Sequence, residues 1–265
     1  MLAQATRTND GDRNADIAAV MGALAQIKTS ERSQLLLRIA DMYVAAGESL
    51  DDEAIAAFDT IMLGQIATSD YAAVVALSRK LAPLANPPPR LITAFAANAD
   101  ITIAGPVLSQ SPHLSTTELI RLASINGQAH LHALCNRMEV PEPLTHVMVE
   151  RGGPSVLSRL LMSRSACYNA ADFAHLLSRS SADERGRVMV DQYAGILLTA
   201  ESPVRNGRVF NVSPTGAGIV PDDFDPLPET FTIILYAVEG LRVPCRLVWK
   251  SAAGFGVVFQ TRPFQ

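Results

Sequence analysis

At 265 residues the chain is longer than one ordinary domain, and 48% hydrophobic against 18% charged residues is enough to build more than one core. A formal net charge of −4 argues against an overall basic face, which nonspecific binding to nucleic acid or anionic membranes would need. The cysteines, Cys135, Cys167 and Cys245, are odd in number and far apart, which fits a reducing cytoplasm better than a disulfide framework.

Residues 1–16 are polar, lack the apolar segment of a signal peptide and read as a disordered tail. No apolar run approaches the ~20 residues of a membrane span. From Ile17 the apolar residues recur at helical spacing through Val20, Met21, Leu24 and Ile27, ending near Thr29. Ser30 is placed to cap a second helix that Gly47 stops, and Ser49 or Asp51 a third that Gly64 closes. Ser69-Asp70 opens a fourth, through Leu81. Short helices joined by short polar loops predict an all-α domain.

Beyond Pro87-Pro88-Pro89 the pattern repeats. Leu91-Ile92-x-x-Phe95, Leu119-Ile120-x-x-Ala123 and Leu144-x-x-Val147-Met148 each begin a unit that continues into a second apolar run, and Phe173 begins a partial fourth. The starts lie 28, 25 and 29 residues apart. Each unit reads as two short helices that cannot bury their apolar faces alone, so stacking into a HEAT-like solenoid is expected, with its surface open to a protein partner.

From about Val188 the period changes from 3.6 to 2. The candidate strands are 188–199, 207–213, 217–220, 230–238, 241–250 and 254–260, which predicts a small six-stranded antiparallel barrel. On the fifth, Val243, Cys245, Leu247 and Trp249 fall on one face, which assigns Trp249 to the core. Asn206-Gly207 between two strand-like runs predicts a type I′ hairpin turn, since both central residues need φ > 0. Glu239-Gly240 and Ala253-Gly254 mark further turns, and 222–228 an exposed acidic loop. The strand after Asn206-Gly207 ends in Asn211-x-Ser213-x-x-Gly216. Short side chains and a glycine there let a ligand reach the backbone, or simply turn the chain. Both readings stay open.

Asn211-x-Ser213-x-x-Gly216, followed by Val248-Trp249 and Gly256-Val257-Val258-Phe259, resembles a PilZ domain over about 183–265. The resemblance implies a six-stranded barrel and, as ligand, the bacterial messenger cyclic di-GMP. It also implies an R-x-x-x-R motif before the first strand, whose guanidinium groups fork onto phosphate and guanine. Here that segment runs from Arg179 to Arg187. Counting back from Arg187, or forward from Arg179, places Asp183 where an arginine would stand. The ligand-binding candidates are therefore Arg185, Arg187, Asn211, Ser213 and Gly216. The helical part, through Arg79-Lys80-Leu81-Ala82-Pro83-Leu84, Ile103-Ala104-Gly105-Pro106-Val107-Leu108, Gly127-Gln128-Ala129-His130-Leu131 and Val149-Glu150-Arg151-Gly152, resembles a bacterial HEAT-like domain of unknown function.

Catalytic patterns find little footing. Ser213 has no G-x-S-x-G elbow or local histidine. His132 and Cys135 share a helix face, but the thiol reads as a small buried hydrophobe. Arg159 and Arg164 read as solvated residues near a helix end. The sequence thus predicts a multidomain α + β protein: a tail over 1–16, a helical repeat domain over 17–180 and a PilZ-like barrel over 181–265. The expected function is non-enzymatic cytoplasmic signalling, with cyclic di-GMP coupled to a protein partner and neither cofactor nor metal. The alternative is a scaffold that binds no messenger. Nucleic-acid binding and membrane insertion are not expected.

Overall fold

The computed structural model describes residues 29–180, 182, 183 and 186–264. The tail read over 1–16 and the helix read from Ile17 lie outside the described residues. Among the described residues ten α-helices precede six strands. None of those helices is long and apolar enough to cross a membrane by itself. The chain divides into two compact units, one up to Ser115 and one from Thr116.

The first unit contains α1 (Thr29–Ala46), α2 (Asp52–Ile66), α3 (Tyr71–Leu81), α4 (Pro89–Ala96) and α5 (Ile101–Gln110), with a 3-10 turn at Gly47–Ser49. Its helices pack in two layers, α1 on α3 on α5 and α2 on α4. The caps are local: Asp51 accepts the amide of Ala54 and Asp100 that of Thr102, both at 2.8 Å. The start of α4 is satisfied from a neighbour, because the buried Asp59 accepts the amides of Arg90 and Leu91 at 2.9 and 2.8 Å. Two boundaries differ from those read in the sequence. α1 already includes Ser30, which therefore does not cap it. α2 runs past Gly64 to Ile66 and stops where the Thr68 and Ser69 hydroxyls bind the Gln65 carbonyl.

The second unit begins with α6 (Thr116–Ile125), α7 (Gln128–Leu134), α8 (Glu142–Arg151), α9 (Pro154–Leu161) and α10 (Ala170–Arg179). The same alternation holds, α6 on α8 on α10 and α7 on α9. Each successive repeat caps the one before. Arg151 donates to the carbonyls of Ala123 and Asn126 at the end of α6, and Arg179 to those of Val149, Glu150 and Gly152 at the end of α8. The repeat starts read at Leu91, Leu119, Leu144 and Phe173 correspond to α4, α6, α8 and α10. After α10 the chain enters the barrel instead of a partner helix.

The barrel comprises β1 (Val188–Leu197), β2 (Arg205–Ser213), β3 (Gly216–Pro221), β4 (Thr230–Leu235), β5 (Leu241–Ser251) and β6 (Gly254–Phe259). It closes in the order β1-β2-β3-β6-β5-β4 with every pair antiparallel. Full closure leaves no edge strand exposed. Val190, Ile196, Ile219, Ile233, Val243 and Phe255 are among its buried core residues. Residues from the helical part of this unit hold it. Gln192, buried on β1, donates to the carbonyls of Leu161 and Ser163 at 3.0 and 2.8 Å. The amide of Tyr168 donates to the Ala237 carbonyl at 2.7 Å, and Arg164 pairs with Asp191 at 2.7 Å.

Two sequence expectations fail in the barrel. Asn206-Gly207 is not a turn: both residues lie in β2, paired with Gly195 and Ala194 on β1. The β1–β2 link is the longer 198–204 segment, where Thr199 and Ser202 bond each other. Gly207 is needed for a different reason, because a Cβ there would stand 2.9 Å from the Val220 carbonyl oxygen on β3. The adjacent pair of positive φ angles falls at Glu239 (50°) and Gly240 (68°) instead. Trp249, assigned to the core by alternation, is 40% exposed. The register shifts between Leu247 and Trp249. A bulge there breaks the strict alternation that assigned Trp249 to the core, and Val248 and Trp249 are both exposed.

Candidate ligand cleft on the barrel

The residues read as a ligand site approach one another at the ends of β2, β3, β5 and β6. Arg187, Asn211, Gly216 and Gly218 line one cleft of about 110 Å³ together with Trp249 and Val257. Ser213 is not among them. It faces a neighbouring cleft of about 300 Å³ shared with Leu177 and Ser178 of α10, Gly186, Pro214 and Phe264. Arg185 lies outside the described residues. The first cleft is smaller than the few hundred Å³ usual for a drug-sized ligand.

Most of the polar groups in the motif are already engaged by the fold. Asn211 is 7% exposed, and its Oδ1 accepts the amide of Gly218 at 3.0 Å, where the β2–β3 register shifts. The Ser213 hydroxyl accepts the Thr215 amide and donates to the Gly216 carbonyl, both at 3.3 Å, which holds the tight turn between β2 and β3. A Cβ on Gly216 would collide with the Val257 carbonyl oxygen. The Trp249 indole sits against Gly256, where again no Cβ fits. The glycine permits close approach, but it is a neighbouring strand that approaches.

Arg187 is held by the residue that stands in for the expected arginine. The Asp183 carboxylate accepts the Arg187 amide at 2.8 Å and its Nε at 3.2 Å, while the Asp183 amide donates to the Arg187 carbonyl at 2.8 Å. These three hydrogen bonds tie Asp183 to Arg187, and the carboxylate offsets the guanidinium charge. The pair is open to solvent, with side-chain exposures of 31% and 42%. Arg179 cannot supply the missing cation, because its guanidinium caps α8.

Of the cysteines, Cys135 and Cys245 are buried and Cys167 is exposed. The Cys135 thiol bonds the Leu131 carbonyl, and burial pushes its pKa up to about 12, far from a thiolate ligand. Among the described residues no three His, Cys, Asp or Glu side chains are grouped to hold a metal ion. Arg159 binds the Asn136 side chain. Arg164, read as a solvated helix-end residue, lies over the Tyr193 ring at 5.5 Å besides pairing with Asp191. Nothing local in the sequence marks the partners of Arg159 and Arg164, which are 23 or more residues away. The same holds for Asp183 and Arg187 in one respect: their spacing is legible, but their mutual capture is not.

Residues 103–188 match a family described as an uncharacterised protein conserved in bacteria (DUF2336). The match agrees with the likeness of the helical part to a bacterial domain of unknown function, and it ends at the first residue of β1. The chain therefore joins a segment similar to that bacterial family to a closed six-stranded antiparallel barrel. No curated protein matches it.

Proposed function

We propose that the chain is a non-enzymatic bacterial adaptor, whose helical surface carries a protein partner and whose PilZ-like barrel works without cyclic di-GMP. The observation that carries this reading is the Asp183–Arg187 loop. A dianionic ligand arriving at Arg187 meets a carboxylate where a second guanidinium would be required, and it must break an existing pair to bind. The motif hydroxyl and amide add little, since their hydrogen bonds close the β2–β3 turn and bulge. The Ser213 hydroxyl, bonded to Thr215 and Gly216, is likewise no nucleophile with a base beside it. The cysteines are free, in keeping with the cytoplasm.

A second reading has its own observation. Arg187, Asn211 and Gly216 do share a cleft with the half-exposed Trp249, so a cyclic di-GMP receptor using Arg185, Arg187, Asn211, Ser213 and Gly216 remains the competing function. Calorimetric titration of the full chain separates the two. Adaptor function without messenger gives no saturable heat at about 100 µM cyclic di-GMP, a ligand range that would reveal any micromolar site. Saturable binding that Arg187→Ala abolishes would overturn it. Asp183→Arg should create binding if the acid is what closes the site.

A further inference from the structure

We infer that α8 and α10 are joined by a clasp of two histidine–carboxylate pairs of opposite polarity, and that the His146–Asp172 pair makes it pH-sensitive. His146 on α8 places Nδ1 2.8 Å from Oδ1 of Asp172 on α10. About one turn further on the roles invert, and His175 on α10 places Nδ1 3.0 Å from Oε1 of Glu150 on α8. His146 and Glu150 are four residues apart on one helix, Asp172 and His175 three apart on the other. That spacing keeps both rungs on one seam.

The Asp172 carboxylate is fixed, whereas Glu150 is about half exposed. Asp172 is 7% exposed at its side chain, and its Oδ2 accepts Asn169 Nδ2 at 2.7 Å while its own amide is capped by Asn169 Oδ1 at 2.8 Å. Asn169 also donates to Glu142 at 2.7 Å. Three acids, Glu142, Glu150 and Asp172, thus converge on the α8–α10 seam. Among the described residues none of them pairs with a lysine or arginine. The cations available to them are histidines, whose charge depends on pH near neutrality.

The groups acting on His146 all favour its charged form, and only desolvation opposes it. The Asp172 hydrogen bond comes first, then the Asp172 charge, and after desolvation the Glu150 and Glu142 charges, so its pKa is held above the ordinary imidazole value. The sign follows. A raised folded pKa gives stabilisation that is complete below the ordinary value and is lost as pH rises through the folded value. α10 is therefore held more firmly at pH 6 than at pH 8. α10 leads into the 183–187 loop, and its Leu177 and Ser178 line the cleft that Ser213 faces. This control of α10 is independent of whether cyclic di-GMP binds.

Histidine NMR titration and hydrogen exchange on the full chain test the clasp. His146 should titrate above the ordinary value, and Asp172→Asn should bring it back. Exchange in α10, corrected for intrinsic rates, should be about two- to fivefold faster at pH 8 than at pH 6, the range exposed ion pairs support. In the His146→Gln/His175→Gln double variant that difference should vanish. His146 titrating at or below the ordinary value, or an α10 pH dependence undiminished in the double variant, would overturn the proposal. Should the double variant not fold, the His146 titration in wild type and Asp172→Asn decides alone.

Discussion

Two arginines, eight residues apart, show how differently one side chain serves the two ends of the connection between α10 and β1. Arg179 reaches back to three carbonyls at the end of α8 and supplies donors to acceptors that the helix leaves open. Arg187 faces a single carboxylate in an exposed loop. The first guanidinium is part of the fold. The second is held only by a pair that water and salt weaken, so it alone could be released to a ligand. The same division separates Asn211 and Gly216, committed to strand contacts, from Trp249, which stays on the surface. Charge and motif alone do not make a site. What matters is which groups the fold has left unbound.

Substitutions should grade along that division. Gly216→Ala forces a Cβ into the Val257 carbonyl across β3–β6, and should cost about 3 kcal/mol in chemical denaturation. A loss below about 1 kcal/mol would mean the strands can separate there and the cleft is soft. Arg179→Ala strips three carbonyls of a charged donor and should cost about 2 kcal/mol by the same measurement. Arg187→Ala should cost no more than about 0.5 kcal/mol, since an exposed i,i+4 pair contributes little. If Arg187→Ala proves as damaging as Arg179→Ala, the contrast between the two arginines is wrong.

Much of the architecture is legible in the sequence. The change of period near Val188 placed all six strands to within a few residues, and the spacing of Leu91, Leu119, Leu144 and Phe173 found successive helix pairs. What failed did so for non-local reasons. Asn-Gly prefers a turn, but β3 passes so close to position 207 that glycine is needed in a strand. Trp249 is exposed where strict alternation would bury it, because a bulge precedes it. The motif Asn211-x-Ser213-x-x-Gly216 was legible as a pattern and its strand-end position was right. Its polar groups look available in the pattern, but the Gly218 amide on β3 and the Thr215 amide within the turn occupy them.

A barrel that works without the messenger requires Arg187 to stay with Asp183. The Nε–Hε resonance of Arg187, followed in the labelled full chain as cyclic di-GMP is added, reports that pair directly. It should stay where it is, and it should move on Asp183→Asn, which removes the partner's charge. A saturable shift of that resonance with ligand in the wild-type chain would show the guanidinium leaving Asp183 for phosphate or guanine, and would contradict the reading of the barrel as a module that works without the messenger.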